Sequence, residues 1–445
     1  MKNANDMTVG RPLKVILLFA IPMLLGNIFQ QIYNLADTAI VGHILGDEAL
    51  AAVGASGSVV GLFMGLAFGI PNGFSIVVAR YFGAKQYDQM KRAVASSMVI
   101  GGASALILSI LGVWGIKSLL VFLNTPAEIL PQAVGFVRII LAFLIVTMAY
   151  NVFAGILRGV GNSTMPLVFL VISCVLNVIL AFLFVKAFGW GINGSAYATV
   201  IAQAVSALLC YIYIRIKCPI LKVEKKDFVY DGDLVKDLVT TGFSMGMMFS
   251  IVSIGSVALQ SAINGLGTYT ITAHIAARKF VEMMMFPLSS LSMSASTFAS
   301  QNLGAGQNSR IKAGIKASLL LAAIWSGIVN LIGIPGARII VELISGTENP
   351  EVISAATMYI RINVPFYFIL IFLLVLRTTL QGMNHKVVPL LASFVELLSK
   401  FAVVAFLVPP LGYLGVCLAE PIIWIICALM VIANYLYVAR KMKTD

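Results

Sequence analysis

Long windows without a charged residue are the feature of this 445-residue sequence that most restricts its fold. Residues 238–277 form the longest of them and contain no Asp, Glu, Lys or Arg. As a single helix this window would measure about 60 Å, twice the thickness of a bilayer core, so we expect a turn at residues 264–267 to divide it. Five further windows share the property, namely residues 49–79, 93–116, 159–185, 187–214 and 283–309.

The composition excludes an ordinary soluble or disordered protein. Hydrophobic residues make up 60% of the chain and charged residues only 11%, whereas soluble domains carry roughly 25% charged residues. A soluble protein of this size could not cover so much apolar surface with polar groups. Helices are the expected elements, because the windows are too long for barrel strands and do not alternate.

The windows and their neighbours predict an all-α polytopic membrane protein with twelve transmembrane helices. Each predicted span has about the length that a helix needs to cross the apolar core of a bilayer. The predicted spans are residues 13–40, 49–76, 93–115, 132–157, 164–187, 192–214, 236–263, 269–298, 313–334, 354–379, 387–408 and 413–437.

The distribution of basic residues predicts the orientation. With the N-terminus in the cytoplasm, the inner segments hold 22 Lys and Arg residues and the outer segments hold five. Because basic residues accumulate on the cytoplasmic side of membrane proteins, both termini are expected in the cytoplasm. The net charge of +12 is then a sign of topology, and no nucleic-acid partner is expected. The five cysteines form no CxxC motif, so neither a disulfide framework nor a zinc site is expected.

An internal repeat divides the chain into two halves. Residues 79–97 read ARYFGAKQYDQMKRAVASS, and residues 300–318 read SQNLGAGQNSRIKAGIKAS, with glycine, alanine, glutamine, lysine and serine recurring after 221 positions. The longest polar connection lies between the halves. We therefore expect an N-terminal lobe of spans 1–6 over residues 1–215, a cytoplasmic linker over 216–235 and a C-terminal lobe of spans 7–12 over 236–445.

Each half has six spans, so both halves have the same membrane orientation and the repeat is parallel. A cavity between two such helix bundles is a natural transport path, which opens to each side of the membrane in turn. The alternative is a duplicated scaffold without transport, but a large two-lobed helical protein without extramembrane domains has few other uses.

Asp37 is the most informative polar residue of the predicted membrane spans. Gln30, Asn34 and Asp37 recur at intervals of three and four, which places them on one face of a helix. A carboxylate that faced lipid would be unstable, so this face is expected to line the lobe interior or a cavity. There it can hold a proton or bind a cation. Alternatively, Asp37 caps a neighbouring helix or bonds to Asn34.

Four segments have distinctive sequences, namely QQIYNLADTAIVGHILG in span 1, VARYFGAKQYDQMKRA after span 2, AGILRGVGNSTMP at span 4 and RTTLQGMNHKVVP at span 10. They resemble the MATE family, the multidrug and toxic compound extrusion transporters. The resemblance runs along essentially the whole chain and is greatest to the bacterial DinF-like and related branches. It implies two pseudo-symmetric six-helix lobes in a V-shaped arrangement. It also implies antiport, in which a small organic, mainly cationic compound leaves while H⁺ or Na⁺ enters.

The resemblance also implies neighbours for Asp37. Asn177 and Thr199 match an Asn on span 5 and a Thr on span 6 that accompany the span 1 aspartate in related branches. Many members carry a second carboxylate one turn after that Asn, where this chain has Ala181. Na⁺ favours several oxygen ligands, so Asp37 without a second acid favours a proton, and Na⁺ at Asp37 stays the alternative. Pro22 matches the family's span 1 proline, whose bending is linked to protonation.

The second half offers candidates for the substrate cavity. NorM-type relatives place cation-binding acids on spans 7 and 10. Span 7 of this chain has Gln260 and span 10 has no acid, which argues against the NorM-type site. Glu282 follows Arg278 by four residues, and Lys400 follows Glu396 by four, so each can form an ion pair or take part in substrate recognition. Met285 belongs to a methionine cluster that suits varied ligands or ordinary packing.

These observations predict a multidrug efflux antiporter that exports organic, mainly cationic compounds in exchange for H⁺ by alternating access. Asp37 is the expected proton carrier, with Asn34, Asn177 and Thr199 around it as the other coupling residues. A Na⁺-driven antiporter is the nearest alternative, and a lipid-linked oligosaccharide flippase is a more distant one. An enzyme or a receptor lacks support, because no GxxxxGK[ST], HExxH or GxSxG motif occurs. We expect a monomer in the bacterial plasma membrane, with the lipid bilayer as its surroundings and without a cofactor or a resident metal.

Overall fold

The computed structural model describes residues 6–123 and 125–442, and all regular elements within these ranges are helical. Lys2 and Lys443, which the topology prediction counts as cytoplasmic, lie outside the described residues. The helices are α1 (Pro12–Leu45), α2 (Asp47–Gly83), α3 (Tyr87–Phe122), α4 (Leu130–Ala142), α5 (Leu144–Gly159), α6 (Thr164–Phe182), α7 (Gly191–Lys217), α8 (Gly232–Asn264), α9 (Thr268–Gly304), α10 (Asn308–Ser345), α11 (Pro350–Asn363), α12 (Tyr367–Gly382), α13 (Val387–Ala402), α14 (Val408–Leu411) and α15 (Tyr413–Lys441).

These helices confirm a polytopic all-α architecture. Among the described residues, ten helical segments are long and apolar enough to cross a bilayer, and the pair α4 and α5, bent by 46°, would make eleven. The remaining long helix is α9, which has 37 residues but carries Arg278, Lys279 and Glu282 in one stretch. The turn expected at residues 264–267 separates α8 from α9, where Gly267 has a φ of 95°.

The surface of the helices is apolar, as a lipid environment requires. Trp114 on α3 is 84% exposed and Phe122 is 80% exposed, and Leu331 on α10 is similarly uncovered. In water such side chains would destabilise the chain or drive aggregation. In lipid they are the favourable exterior, because the helical hydrogen bonds satisfy the backbone without water.

The residue contacts divide the chain into two compact units. Unit one contains Ile21–Ser250, and unit two contains Met7–Ala20 together with the described chain from Ile251 onward. Two helices therefore contribute to both units. α1 passes from unit two to unit one next to Pro22, and α8 passes from unit one to unit two after Ser250.

The repeat predicted from the sequence is present in the backbone. α2 and α9 have 37 residues each, and both ends are displaced by 221 positions, since α2 begins at Asp47 and α9 at Thr268. The loops that follow these helices contain Lys85 and Gly306, both with positive φ and also 221 positions apart. Short π-helical segments end α6 at Leu183–Ala187 and follow α13 at Val403–Leu407.

The same close helix contact occurs in each unit. In unit one, a Cβ at Gly159 of α5 would lie 2.9 Å from the carbonyl oxygen of Ser75 on α2. In unit two, a Cβ at Gly382 of α12 would lie 2.5 Å from the carbonyl oxygen of Ser296 on α9. Only glycine allows the backbones to approach so closely, which is typical of helix packing in membranes.

The first described residues are anchored to unit two. The Met7 backbone N–H donates to Oε1 of Gln301 at 2.9 Å, and Nδ2 of Asn302 donates to the Met7 carbonyl oxygen at 3.3 Å. The Arg310 guanidinium donates to the carbonyl oxygen of Gly10 at 2.7 Å. These bonds fix the segment before α1 to the adjoining ends of α9 and α10.

Candidate functional site

Asp37 lies in unit one, where α7 supplies its hydrogen-bond partner. The Ser195 hydroxyl donates to Oδ1 of Asp37 at 2.6 Å, and Ser195 is fully buried. The partner is a neutral hydroxyl, so this hydrogen bond positions the carboxyl group without neutralising its charge. Such a group can lose or gain a charge by releasing or taking up a proton.

A second group of polar side chains connects α1, α6 and α7, one helical turn from Asp37 and Ser195. The hydroxyls of Tyr33 and Thr199 are 2.8 Å apart. Nδ2 of Asn177 donates to both, at 3.3 Å to Tyr33 and 3.2 Å to Thr199. Asn177 is buried, and its Oδ1 has no hydrogen-bond partner among the described residues. An unsatisfied buried acceptor leaves room for a proton donor or a cation.

Helical spacing explains why two pairs of these residues each lie side by side on their own helix. Tyr33 precedes Asp37 by four residues on α1, and Ser195 precedes Thr199 by four residues on α7, so each pair lies on one helix face. The hydroxyl of Thr199 also donates to the carbonyl oxygen of Ser195 at 3.1 Å, which fixes both residues of α7. We define the coupling cluster as Asp37, Ser195, Tyr33, Thr199 and Asn177.

The structure brings three of the four predicted coupling residues into this cluster and adds two. Asp37, Asn177 and Thr199 belong to it, whereas Nδ2 of Asn34 donates to Gln31 at 3.1 Å. The sequence analysis missed Tyr33 and Ser195. The available signal was their spacing, since each stands four residues before a predicted coupling residue.

The position of the absent second carboxylate is filled by apolar packing. Ala181 is fully buried and clusters with Phe184 and Ala198, and Ile40 of α1 packs against them. The surroundings of α6 are therefore apolar one turn beyond Asn177. The side chain of Ala181 supplies no oxygen ligand for a cation.

The other predicted residues lie elsewhere. Gln30 is exposed on α1, and Nε2 of Gln260 donates to Asn264 at 2.9 Å. Met285 is half-buried on α9. α1 continues as a helix through Pro22, although proline removes one backbone hydrogen bond.

In unit two the two predicted ion pairs belong to one connected set of charges. Nε of Arg278 lies 2.8 Å from Glu282, and Nζ of Lys400 lies 3.4 Å from Glu396. Glu420 of α15 links them, because its Oε1 lies 3.8 Å from Arg278 and 3.7 Å from Lys400. The set ends at Arg377 of α12. We call these six residues the charge chain, in the order Glu282, Arg278, Glu420, Lys400, Glu396 and Arg377.

Arg377 forms an ion pair that the sequence analysis did not predict. Its side chain is only 8% exposed, and its Nη1 lies 3.1 Å from Oε2 of Glu396. The hydropathy of span 10 gives no indication of this contact. Only the packing of α12 beside α13 brings the two side chains together.

The fold defines a polytopic helical membrane protein built from a duplicated bundle, and comparisons with known proteins give its family. The model of the MatE family matches residues 22–183 and 245–407, so the chain belongs to this family. The two matched segments correspond to the two halves of the repeat.

The relatives are similar over nearly their full length. The chain is 27% identical over 437 residues to "Probable multidrug resistance protein YoeA" of Bacillus subtilis, which covers 95% of this chain and 93% of that protein. It is 22% identical to "Probable multidrug resistance protein NorM" of Thermotoga maritima, over 90% of this chain and 87% of that protein.

The solved structures share the fold. One is titled "Outward-facing conformation of a multidrug resistance MATE family transporter of the MOP superfamily", with a TM-score of 0.89, 22% identity and 99% of both chains covered. Another, a MOP superfamily transporter from Pyrococcus furiosus, has a TM-score of 0.90 at 22% identity, with 99% of this chain and 98% of that chain covered.

Proposed function

We propose that the protein is a multidrug efflux antiporter that exports organic, mainly cationic compounds in exchange for H⁺ by alternating access. Membership of the MatE family and the names of the relatives support export of several drugs. The coupling cluster supports the exchange with an ion. In this proposal Asp37 carries the proton, and substrate and proton do not occupy the transporter together.

The neutral partner of Asp37 is the observation that carries this proposal. The acids of the charge chain are each paired with a base, so their charge is already compensated. Asp37 instead accepts its hydrogen bond from Ser195. A carboxyl group in a poorly hydrated place without a basic partner is stabilised by taking up a proton or a cation, which is the property that an ion-coupled transporter needs.

Two features favour H⁺ over Na⁺ as the coupling ion. Na⁺ requires several oxygen ligands at once, whereas a proton needs one carboxyl group. The Oδ1 atom of Asp37 has one hydroxyl beside it, and residue 181, one turn from Asn177, is an alanine in apolar surroundings. Na⁺ coupling stays the second candidate, favoured by the unsatisfied Oδ1 of Asn177.

Efflux from proteoliposomes tests the proposal. Vesicles loaded with ethidium, an aromatic monocation, are given either a pH gradient or a Na⁺ gradient. The pH gradient alone is expected to drive export, and Asp37→Asn is expected to abolish it. Glu48→Gln, which removes an exposed acid at the start of α2, is the matched control and is expected to export normally. Export driven only by Na⁺ would refute the proton assignment.

We also propose that the protein acts as a monomer in a bacterial plasma membrane with both termini in the cytoplasm. The proposed lobes are residues 1–215 and 236–445, joined by residues 216–235. The excess of basic residues in the predicted inner segments supports this orientation. Labelling single cysteines placed at Asp88 and at Glu128 from outside intact cells tests it. Only the second position is expected to react.

A further inference from the structure

The two ends of the charge chain differ in exposure and in sign. At one end, the Arg377 side chain is 8% exposed. At the other end, the Glu282 side chain is 47% exposed and that of Arg278 is 29% exposed. Glu396 and Glu420 each lie between two bases, whereas within the described part of the chain Glu282 has the single ion pair with Arg278. The charge chain therefore has one accessible carboxylate, Glu282, which is paired with a single base.

We propose that Glu282 is a binding residue for the positively charged group of an organic cation, which displaces Arg278 from it. This inference rests on the proposed function and names a substrate contact outside the coupling cluster. The position of Glu420 makes the displacement feasible. Its Oε1 lies 3.8 Å from NH1 of Arg278, longer than a hydrogen bond, so Arg278 can move closer to Glu420 as it leaves Glu282.

The rest of the charge chain keeps this exchange electrostatically favourable. An unpaired charge in an apolar interior is strongly destabilising. When the substrate takes Glu282, Arg278 keeps a partner in Glu420, and Lys400 keeps a partner in Glu396. Neither base is left alone. A lone Arg278–Glu282 pair without Glu420 would have no second acid to receive the arginine.

The helix face around Glu282 suits the apolar body of such a cation. Ile275 lies seven residues before Glu282, and Met285 and Phe286 follow it by three and four, so all three share its face of α9. Ile275 is exposed and the other two are half-buried. A methionine adapts to ligands of different shape, and an aromatic ring attracts a cation above its face.

Lys279 makes the proposal testable, because removing its positive charge and removing the negative charge of Glu282 should change cation binding in opposite directions. It is exposed and stands three residues before Glu282, on the same side of α9. A cation bound at Glu282 is repelled by Lys279, so removing the lysine strengthens binding and removing the glutamate weakens it. A merely structural role for the two residues predicts no such opposite effects on a monovalent ligand.

Ethidium binding to the full-length protein in detergent, followed by fluorescence anisotropy, tests the inference. Glu282→Gln is expected to raise the dissociation constant about fivefold, the range for a partly exposed ion pair. Lys279→Gln is expected to lower it about twofold. The control is Glu342→Gln, because Glu342 forms an exposed pair with Arg338 on α10 at the same spacing and the same 2.8 Å distance. This variant is expected to bind like the wild type.

A fourth variant guards against misfolding. Glu282→Asp keeps the charge on a shorter side chain and is expected to restore part of the affinity that Glu282→Gln loses. Equal dissociation constants for Glu282→Gln and Glu342→Gln would overturn the assignment of Glu282, while export through Asp37 would stand. A wild-type protein that binds no ethidium would instead refute the cationic substrate class of the proposed function.

Discussion

The close approach of α2 and α8 within unit one gives a prediction whose size follows from the structure. A Cβ at Gly69 would lie 2.5 Å from Cα of Gly246 and 2.6 Å from the carbonyl oxygen of Met245. Ordinary contacts of a Cβ are about 3.4 Å or longer, so Gly69→Ala forces the helices apart by about 1 Å. Overpacking of this kind costs about 1–3 kcal/mol.

Gly61→Ala is the matched control, because Gly61 lies two turns earlier on α2 and a Cβ there meets nothing within 4 Å. Both variants gain the same helix propensity, about 1 kcal/mol for alanine over glycine. The difference between them therefore isolates the contact with α8. For a unit of this size, a difference of about 2 kcal/mol corresponds to about 4–8 °C in the unfolding midpoint.

The native cysteines serve as reporters in this experiment. Cys210 and Cys218 are buried in unit one and free, so a fluorogenic maleimide reacts with them when the unit unfolds. The detergent-solubilised variants are heated with the dye, and the midpoints are compared. Equal midpoints for Gly69→Ala and Gly61→Ala would refute the argument that glycine is needed where α2 and α8 meet.

Three further predictions concern the coupling cluster, the charge chain and the cysteines. Ser195→Ala removes the donor to Asp37 and is expected to slow pH-driven ethidium efflux about tenfold, whereas Ser109→Ala, a buried control on α3, leaves efflux unchanged. Lys400→Met leaves Glu396 and Glu420 with one base each and is expected to destabilise unit two by about 3 kcal/mol, measured through the buried thiols of Cys417 and Cys427 in that unit; an unchanged midpoint would contradict the pairing. Burial raises the pKa of the Cys218 thiol, so less of the reactive thiolate is present at a given pH, and maleimide labelling of this residue in the folded protein is expected to stay slow up to pH 9. Rapid labelling at pH 7, judged by mass spectrometry of the peptide, would show that the thiol is accessible and acidic.

Much of the fold could be predicted because lipid removes most alternatives. A chain that crosses a bilayer must satisfy its backbone within helices, so uncharged windows translate directly into spans. The turn at residues 264–267 and the duplicated helices both followed from that rule and from the repeat. The 46° bend between α4 and α5 did not, because Phe143, which lies between the two helices, is as apolar as its neighbours and gives no sign of a break.

The candidate site was predictable only in part, since helical spacing relates residues within a helix and not between helices. Asp37 and the pairs Arg278–Glu282 and Glu396–Lys400 lie on single helices at intervals that the sequence displays. Ser195 reaches Asp37 across 158 positions. Its spacing from Thr199 places both on one face of α7, but this spacing does not reveal that Ser195 meets Asp37 of another helix.

By itself, the sequence determined that this chain enters a membrane as two copies of one helical bundle, because apolar runs and the repeat are properties of the chain's order. It also identified most of the charges inside the spans, chiefly Asp37, Glu282, Glu396 and Lys400. Only the tertiary structure decided which of those charges meet. It placed Asp37 beside a neutral hydroxyl and connected six other charges, including Glu420 and Arg377, into one set, because side chains from different helices become neighbours only when the helices pack.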